Sequence, residues 1–260
     1  MTQYKQLKLN FNKELAQLLA AKISKVYTNF AKQEFIQKVE NNITDLELKQ
    51  RIEVITDALH EFLPSEYKQA IKILSQILGP ANKNETGMFK DGYWLMPVAF
   101  FVEKYGINDF KESTTAIYEI TQRNTGEYAV RPFLVKYPQE MLSLMLKWSS
   151  DNNVHVRRLS SEGVRPRLPW AKKLEQFIID PKPILPILEN LKEDESIFVK
   201  KSVANNFNDI LKDNYDIGIK VLKEWSKSKN KDTRWIIKHA LRNEIDRGNS
   251  QAIEILKNTK

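Results

Sequence analysis

The sequence contains no cysteine among its 260 residues. This absence excludes disulfide bonds, thiol nucleophiles and cysteine-ligated zinc, and it suits a reducing cytoplasm. Glycine is scarce, with 8 residues, and no two of them lie close enough to form a phosphate-cradling loop. The chain therefore has neither a P-loop nor a dinucleotide fingerprint, and we expect no cofactor. The three histidines, His60, His155 and His239, lie far apart in the sequence, so we expect no metal site.

Long apolar runs are missing as well. The first ten residues lack the apolar core of a secretory signal peptide. The longest apolar run, residues 94–102, is interrupted by Pro97 and is too short to span a bilayer. We therefore expect an intracellular, cytoplasmic protein that does not enter a membrane.

Positive charge is in excess. The chain has 41 Lys and Arg residues against 33 Asp and Glu residues, which gives a formal net charge of +8. Such a balance fits a polyanionic partner, nucleic acid before membrane. Many other proteins share this balance, so the charge alone does not identify the partner.

The segment of residues 155–170 concentrates this charge, because four arginines there surround the single acid Glu162. Gly163 and two prolines interrupt the segment, so a helix has to end within it. Arginine offers a fixed fork for phosphates, and Trp170 offers a flat face for a base or a cation. The surrounding arginines predict that Glu162 stays ionised. The combination points to an enzyme that acts on nucleic acid, although a turn between two repeats, held by local salt bridges, explains it nearly as well.

Apolar residues recur with helical spacing along almost the whole chain. One stripe covers residues 11–23, another covers residues 52–63, and a third continues to Gly79 and Pro80. Residues 79–92 lack any period and are predicted to form a loop. No alternating strand pattern bounded by hairpin turns occurs, so the sequence predicts an all-α fold.

The second half of the chain repeats itself. Three apolar helices, which carry Trp148, Leu191 and Trp225, are each followed by a polar turn and a basic helix start. The spacings of 43 and 34 residues between these positions are typical of two-helix HEAT or armadillo repeats, which stack into a solenoid with a concave face. We therefore predict one all-helical HEAT-like domain over residues 1–260, with N-terminal helices in residues 1–90 and the repeats in residues 91–260.

The basic helix starts recur from repeat to repeat. Positive charge at a helix N-terminus opposes the helix macrodipole, so its recurrence indicates an anion outside the protein. Equivalent positions of a solenoid lie along one face, which predicts a concave basic face that follows a DNA backbone. Ordinary solvated helix starts would produce the same pattern. The predicted DNA-binding residues at these helix starts are Arg157, Arg158, Lys200, Lys201 and Arg234, and Arg167 of the arginine-rich segment is predicted to bind DNA as well.

Three carboxylates are candidates for catalysis. Glu127 lies near a helix start, and Glu162 lies inside the arginine-rich segment. Asp209 and Ser202 fall on the shoulder of an apolar helix face, about 60–80° from Val199 at about 100° per residue, where a side chain is half sheltered. Three nearby asparagines give this helix a polar load that helix interiors disfavour. Taken singly, each acid is better explained by a structural role than by catalysis.

Five motifs of the sequence resemble the AlkC branch of the HEAT-like DNA alkylation-repair glycosylases. They are residues 160–170, 180–181, 201–210, 233–235 and 239–242, and the likeness covers roughly residues 90–257. Some members of this branch carry an additional C-terminal immunoglobulin-like domain, and the present chain resembles the short form without it.

The resemblance implies base excision repair of cationic N-alkylated bases, such as 3-methyladenine and 3-methylcytosine, in double-stranded DNA. It implies catalytic roles for Glu127, Glu162 and Asp209, and contacts of Trp170 and Arg165 with the damaged base. An alkylated base already carries positive charge, so its glycosidic bond needs little acid assistance. Negative charge near the sugar and a carboxylate that orients water help most. We expect the enzyme to act as a monomer.

Two other functions stay open at this point. A catalytically silent HEAT-like protein that binds bent or branched DNA would keep the scaffold without the chemistry. A protein-binding solenoid would use the basic groove for an acidic partner. Release of bases from alkylated DNA separates the first two functions, and DNA binding across a salt series separates the last two.

Overall fold

The computed structural model describes residues 6–259, and all regular structure within them is helical. This result confirms the predicted all-α fold. No helix in this range is long and apolar enough to cross a membrane.

Three short 3-10 helices cover Leu7–Asn10, Tyr93–Leu95 and Lys182–Ile184. The α-helices of the described residues are α1 (Lys13–Ile23), α2 (Lys32–Asn42), α3 (Leu48–Phe62), α4 (Tyr67–Gln76), α5 (Met96–Tyr105), α6 (Phe110–Thr121), α7 (Val130–Lys136), α8 (Pro138–Trp148), α9 (Val154–Glu162), α10 (Glu175–Ile179), α11 (Leu185–Asn190), α12 (Ile197–Asp213), α13 (Tyr215–Trp225), α14 (Lys231–Ala240), α15 (Arg242–Asp246) and α16 (Ser250–Asn258).

The chain divides into two compact units, Met1–Pro132 and Phe133–Lys260. The predicted single domain, with N-terminal helices up to residue 90, stays a prediction. Residues 1–5 and residue 260, which that prediction includes, lie outside the described residues.

In the first unit, helices that are close in sequence pack together. Helix α1 packs on α2, α2 on α3, and α3 on α5, while α4 packs on α6. The apolar stripes predicted in residues 11–23 and 52–63 are buried, except for Leu18, which is 40% exposed. The predicted loop of residues 79–92 lies between α4 and the 3-10 helix at Tyr93–Leu95. The helical spacing of the sequence therefore identified the core of this unit.

In the second unit, α9, α12 and α14 form a row in which α12 packs against both of the others. Helices α8, α11 and α13 each precede one member of the row in the chain, and α8 contacts α11 while α13 contacts α16. Pairs of helices stacked in this way are HEAT-like repeats, as the sequence predicted.

Each helix of the row begins at a polar N-cap residue. The side-chain oxygens of Asn153, Ser196 and Asn230 each accept hydrogen bonds from two backbone N–H groups of the first turn. A cap of this kind typically contributes about 1 kcal/mol to stability. Because the three caps are equivalent, residues counted from them occupy comparable positions in the three helices.

Candidate functional site

One arginine in the turn after α9 binds two carboxylates, one at the C-terminal end of α9 and one on α12. Arg165 Nη1 donates to Glu162 Oε1 at 2.7 Å, and Arg165 Nε donates to Asp209 Oδ2 on α12 at 2.9 Å. Ser202 Oγ, also on α12, donates to Glu162 Oε2 at 2.6 Å. We call Glu162, Arg165, Ser202 and Asp209 the carboxylate cluster. It brings together two predicted catalytic residues and one predicted base-contact residue.

The carboxylate cluster is buried, since none of its four members is more than 8% exposed. Burial by itself would raise the pKa of Glu162, but the positive charges of Arg158 and Arg165 outweigh it. Hydrogen bonds from Ser202 and Arg165 add to their effect, so the pKa of Glu162 lies below its ordinary value. Glu162 is therefore ionised at neutral pH, as the arginine-rich segment predicted. An ionised carboxylate suits charge stabilisation or the orientation of water rather than proton donation.

The same contacts shift the pKa of Arg165 in the opposite direction. Burial would lower the pKa of Arg165, but the negative charges of Glu162 and Asp209 raise it above its ordinary value. The arginine therefore remains charged and holds the two carboxylates at a fixed separation.

Asp209 is more deeply placed than the sequence predicted. Its shoulder position on the helix predicted a half-sheltered side chain, but the residue is 2% exposed. The reason is that α12 packs against α9, α13 and α14, so it is covered on more than one face. Lys212 Nζ lies 3.4 Å from the Asp209 Oδ1 atom, and the lysine side chain is exposed.

The asparagines of α12 hold this helix between its neighbours. Asn206 Nδ2 donates to the backbone oxygen of Ser161 on α9 at 2.8 Å. Asn208 Nδ2 donates to the backbone oxygen of Ala240 on α14 at 3.1 Å. Both asparagines are buried, and these bonds offset their poor helix propensity. Contacts between repeats therefore explain why α12 contains asparagines that helix interiors disfavour.

Trp170 lies in the turn after α9, where the residue is 62% exposed and its φ angle is +64°. A left-handed backbone at a residue other than glycine costs energy and needs a compensating reason. The exposure of Trp170 leaves it open to solvent, and its contact with a damaged base stays a prediction.

Glu127, the third predicted catalytic residue, belongs to the first unit and lies just before α7. Its Oε2 atom accepts a hydrogen bond from Thr125 Oγ1 at 3.0 Å, and its backbone N–H donates to the same hydroxyl at 3.2 Å. A Cβ atom on Gly126 would lie 2.8 Å from Ile117 Cγ2, so only glycine allows this turn to approach α6 so closely. Glu127 is 3% exposed, and its catalytic role stays a prediction.

Within the described residues, the basic position that recurs in the repeats pairs with a carboxylate of the protein at two of its three occurrences, and at the third Arg234 Nε donates to the backbone oxygen of Ser228 at 3.4 Å. Counted from the N-caps, Arg157, Lys200 and Arg234 are equivalent. Arg157 Nε donates to Asp194 Oδ2 at 2.6 Å, and Lys200 forms a buried ion pair with Asp232. Both acids belong to the following repeat. At Arg157 and Lys200, an ion pair within the protein explains the recurring positive charge that indicated an outside anion. DNA contact at these two positions stays a prediction.

The other predicted DNA-binding residues have different surroundings. Arg167 forms two hydrogen bonds, at 2.6 and 2.7 Å, with Asp213 at the end of α12. The guanidinium carbon of Arg158 lies 5.0 Å from the centre of the Phe198 ring. Lys201 is exposed, and no carboxylate of the described residues lies within ion-pair distance of it. The shared concave basic face stays a prediction.

Several residues of the site received no role from the sequence. Ser202 was placed beside Asp209 on the helix, and that shared shoulder was the available signal for its bond to Glu162. Asp194 and Asp232 carried a weaker signal, because each lies two residues from an N-cap. Their partners belong to a neighbouring repeat, so only the three-dimensional packing identifies them.

A metal site was not expected from three separated histidines. Each histidine ring lies against an aromatic ring: His60 against Tyr105, His155 against Phe198 and His239 against Trp235. Within residues 6–259, no group of three or more metal-ligating side chains is placed to hold an ion.

The chain matches known proteins along most of its length. A family model described as DNA alkylation repair enzyme matches residues 124–243, which include every candidate site residue. The uncharacterized protein YhaZ of Bacillus subtilis (strain 168) is 40% identical over 250 residues, which are 96% of this chain and 67% of YhaZ. The structure of the Pseudomonas fluorescens alkylpurine DNA glycosylase AlkC, bound to DNA containing an abasic site analog, is similar with a TM-score of 0.88 and 35% identity. That similarity covers 98% of this chain and 69% of AlkC.

Proposed function

Because the chain belongs to the DNA alkylation repair enzyme family, in its AlkC-like branch, we propose that it is a DNA glycosylase for cationic N-alkylated bases. The substrates that we expect are bases of the 3-methyladenine and 3-methylcytosine type in double-stranded DNA. The observation that carries the proposal is the carboxylate cluster, whose Glu162 stays ionised although it is buried.

The reaction breaks the bond between C1′ of the sugar and a ring nitrogen of the base. The cationic base leaves with the electron pair of that bond and becomes neutral, while the sugar develops positive charge. A water oxygen then bonds to C1′ and releases a proton. Glu162 and Asp209 are proposed to stabilise the charge on the sugar and to orient the water, and Glu127 is proposed to assist them. The lowered pKa of Glu162 fits this role, because the leaving base needs no proton donor.

Trp170 is proposed to recognise the charge of the damaged base. A cation over an indole face gains about 0.5–2 kcal/mol, and more when both are desolvated, whereas a neutral base gains no such term. Arg165 was predicted to contact the base as well. Its bonds to Glu162 and Asp209 support an additional role in positioning the two carboxylates.

A specific observation favours a second candidate function. Both carboxylate oxygens of Glu162 already accept hydrogen bonds, from Arg165 and from Ser202, as a structural tie between α9 and α12 would require. On this basis the chain would be a catalytically silent protein that binds bent or branched DNA. The two functions differ in whether bases are released.

We further propose that the protein acts on DNA as a monomer in the cytoplasm. The net charge of +8 and the DNA in the similar AlkC structure support the DNA partner. Light scattering of the protein with and without a duplex oligonucleotide tests the stoichiometry, and a dimer would contradict the proposal.

Identification of released bases tests the enzymatic proposal. The protein is incubated with DNA methylated on ring nitrogens, and the soluble bases are separated and identified. We expect free 3-methylated bases and an equal amount of abasic sites in the DNA. Bound DNA without any released base would reject the glycosylase and leave the silent binding protein.

A further inference from the structure

Lys201 of α12, His239 of α14 and Arg242 of α15 form no ion pair with a carboxylate of the described residues, unlike the neighbouring Lys200, which pairs with Asp232. Arg242 donates from Nη1 to the backbone oxygen of His239 at 2.6 Å and from Nη2 to Asn205 Oδ1 at 3.0 Å. Both acceptors are uncharged. Lys201 lies one turn before Asn205 on α12 and is exposed. We call Lys201, His239 and Arg242 the cation cluster.

His239 is the titratable member of the cation cluster. Its ring stacks on the Trp235 ring, with 4.5 Å between centroids and 16° between planes. Burial, followed by the charges of Arg242 and Lys201, lowers the pKa of His239 below its ordinary value of about 6.5. Lys200 of α12 lies 5.7 Å from the Trp235 ring centre and is ion-paired. Helix α13, which also packs on α14, adds none of the charges that shift this pKa.

We propose that the cation cluster binds one backbone phosphate of DNA, and that His239 takes up a proton when the phosphate binds. The proposal rests on the proposed function for its DNA partner. Arginine provides a fork of N–H donors and lysine a compact charge, and both suit a phosphodiester. In the described part of the chain, no carboxylate forms an ion pair with Lys201 or Arg242, so an outside anion meets no internal competitor.

The proton uptake follows from the charges around His239. In the free protein, burial and the charges of Arg242 and Lys201 disfavour the protonated ring and hold its pKa below the ordinary value. A bound phosphate offsets these charges and raises the pKa of His239, so the complex holds more protons than the free protein. Binding therefore strengthens as the pH falls through the pKa of the complex, and it levels off below the pKa of the free protein. One proton allows at most about a tenfold change in Kd per pH unit.

The test measures the Kd of the full chain for an undamaged duplex oligonucleotide between about pH 5.5 and about pH 8.5 at constant ionic strength. We expect binding at least about threefold tighter at the acidic end, and His239→Gln should abolish most of this dependence. His60→Gln is the matched control, because His60 also stacks on an aromatic ring but belongs to the first unit. It should keep the wild-type pH dependence.

Three further readouts guard against a misfolded variant. Lys201→Gln changes an exposed residue, and it should reduce the slope of log Kd against log salt by about one phosphate contact. It should also move the midpoint of the pH dependence upward, because it removes one of the cations that lower the pKa of His239. In the wild type, the NMR titration of the His239 ring should shift to higher pH when the duplex is added.

The outcomes separate this proposal from the enzymatic one. An unchanged pH dependence in His239→Gln, or an NMR titration of His239 that the duplex does not move, would overturn it. Failure of the wild type to bind the duplex at any pH would overturn it too. Binding with the expected pH dependence but without any base release would reject only the glycosylase activity.

Discussion

The two sides of α12 hold charge in opposite ways. Toward α9, the carboxylate cluster is buried, and its arginine is neutralised by two acids of the protein itself. Toward α14, the cation cluster has uncharged acceptors, and its lysine is exposed. A basic residue in a repeat is therefore not by itself a DNA contact. What matters is whether its counter-charge lies within the protein or has to come from outside.

Two adjacent lysines of α12 differ in the same way. Lys200 is 8% exposed and pairs with Asp232, which is 5% exposed, whereas Lys201 is exposed to solvent. We expect Lys200→Met to lower the free energy of unfolding by about 3–5 kcal/mol, because Asp232 stays buried without its partner. Lys201→Met should change it by less than about 0.5 kcal/mol. Chemical denaturation measures both, and equal effects would contradict the distinction.

Ser202→Ala sharpens the description of the carboxylate cluster. The hydroxyl bonds to an ionised carboxylate, so we expect a loss of about 1.5–3 kcal/mol in the free energy of unfolding at neutral pH. The pKa of Glu162 is lowered in the folded state, so the stability from this group is present above its unfolded pKa of about 4.3. That stability disappears as the pH falls through the folded pKa. The difference between variant and wild type should therefore shrink in acid.

Ser160→Ala is the matched control for this measurement. Ser160 is as buried as Ser202, but its hydroxyl donates to the backbone oxygen of Arg157 rather than to a carboxylate. Its effect on stability should not depend on the charge of Glu162. If both variants lost stability with the same pH dependence, the hydrogen bond to Glu162 would not be the cause.

Trp170→Ala is expected to have a smaller effect than Lys200→Met or Ser202→Ala. The loss of a cation–π contact of about 1–2 kcal/mol predicts about a 5- to 30-fold slower excision of cationic bases. Binding to undamaged DNA should change less, since only the exposed damaged base would meet the ring. Trp170→Phe should recover part of the rate. Because Trp170 is 62% exposed, the melting temperature should barely change, and a large drop would mean that the ring supports the fold.

The fold was predictable because the spacing of apolar residues and the positions of glycine and proline act locally along the chain. The stripe of residues 52–63 became the buried face of α3, and Gly163 with the prolines after it ended α9 where expected. The ionisation of Glu162 was predictable for the same reason, because its arginines lie within a few residues.

The partners of the basic residues were not predictable, because they are contributed by another repeat. Asp232 lies 32 residues after Lys200, and Asp194 lies 37 residues after Arg157. The burial of Asp209 depends on the helices that flank α12, which a single helical face does not reveal. The DNA-binding roles of the charged residues stay predictions, and only the packing separates internal pairs from exposed cations.

The rate constant of base release with saturating protein tests most directly whether the carboxylate cluster performs the chemistry. Asp209→Asn and Asp213→Asn each remove one acid of α12 that pairs with an arginine. Asp209 pairs with Arg165 inside the carboxylate cluster, whereas Asp213 pairs with Arg167 outside it. We predict a single-turnover rate about 100-fold or more below wild type for Asp209→Asn, and a change within about threefold for Asp213→Asn. Wild-type rates in both Asp209→Asn and Glu162→Gln, with intact folding, would contradict the account.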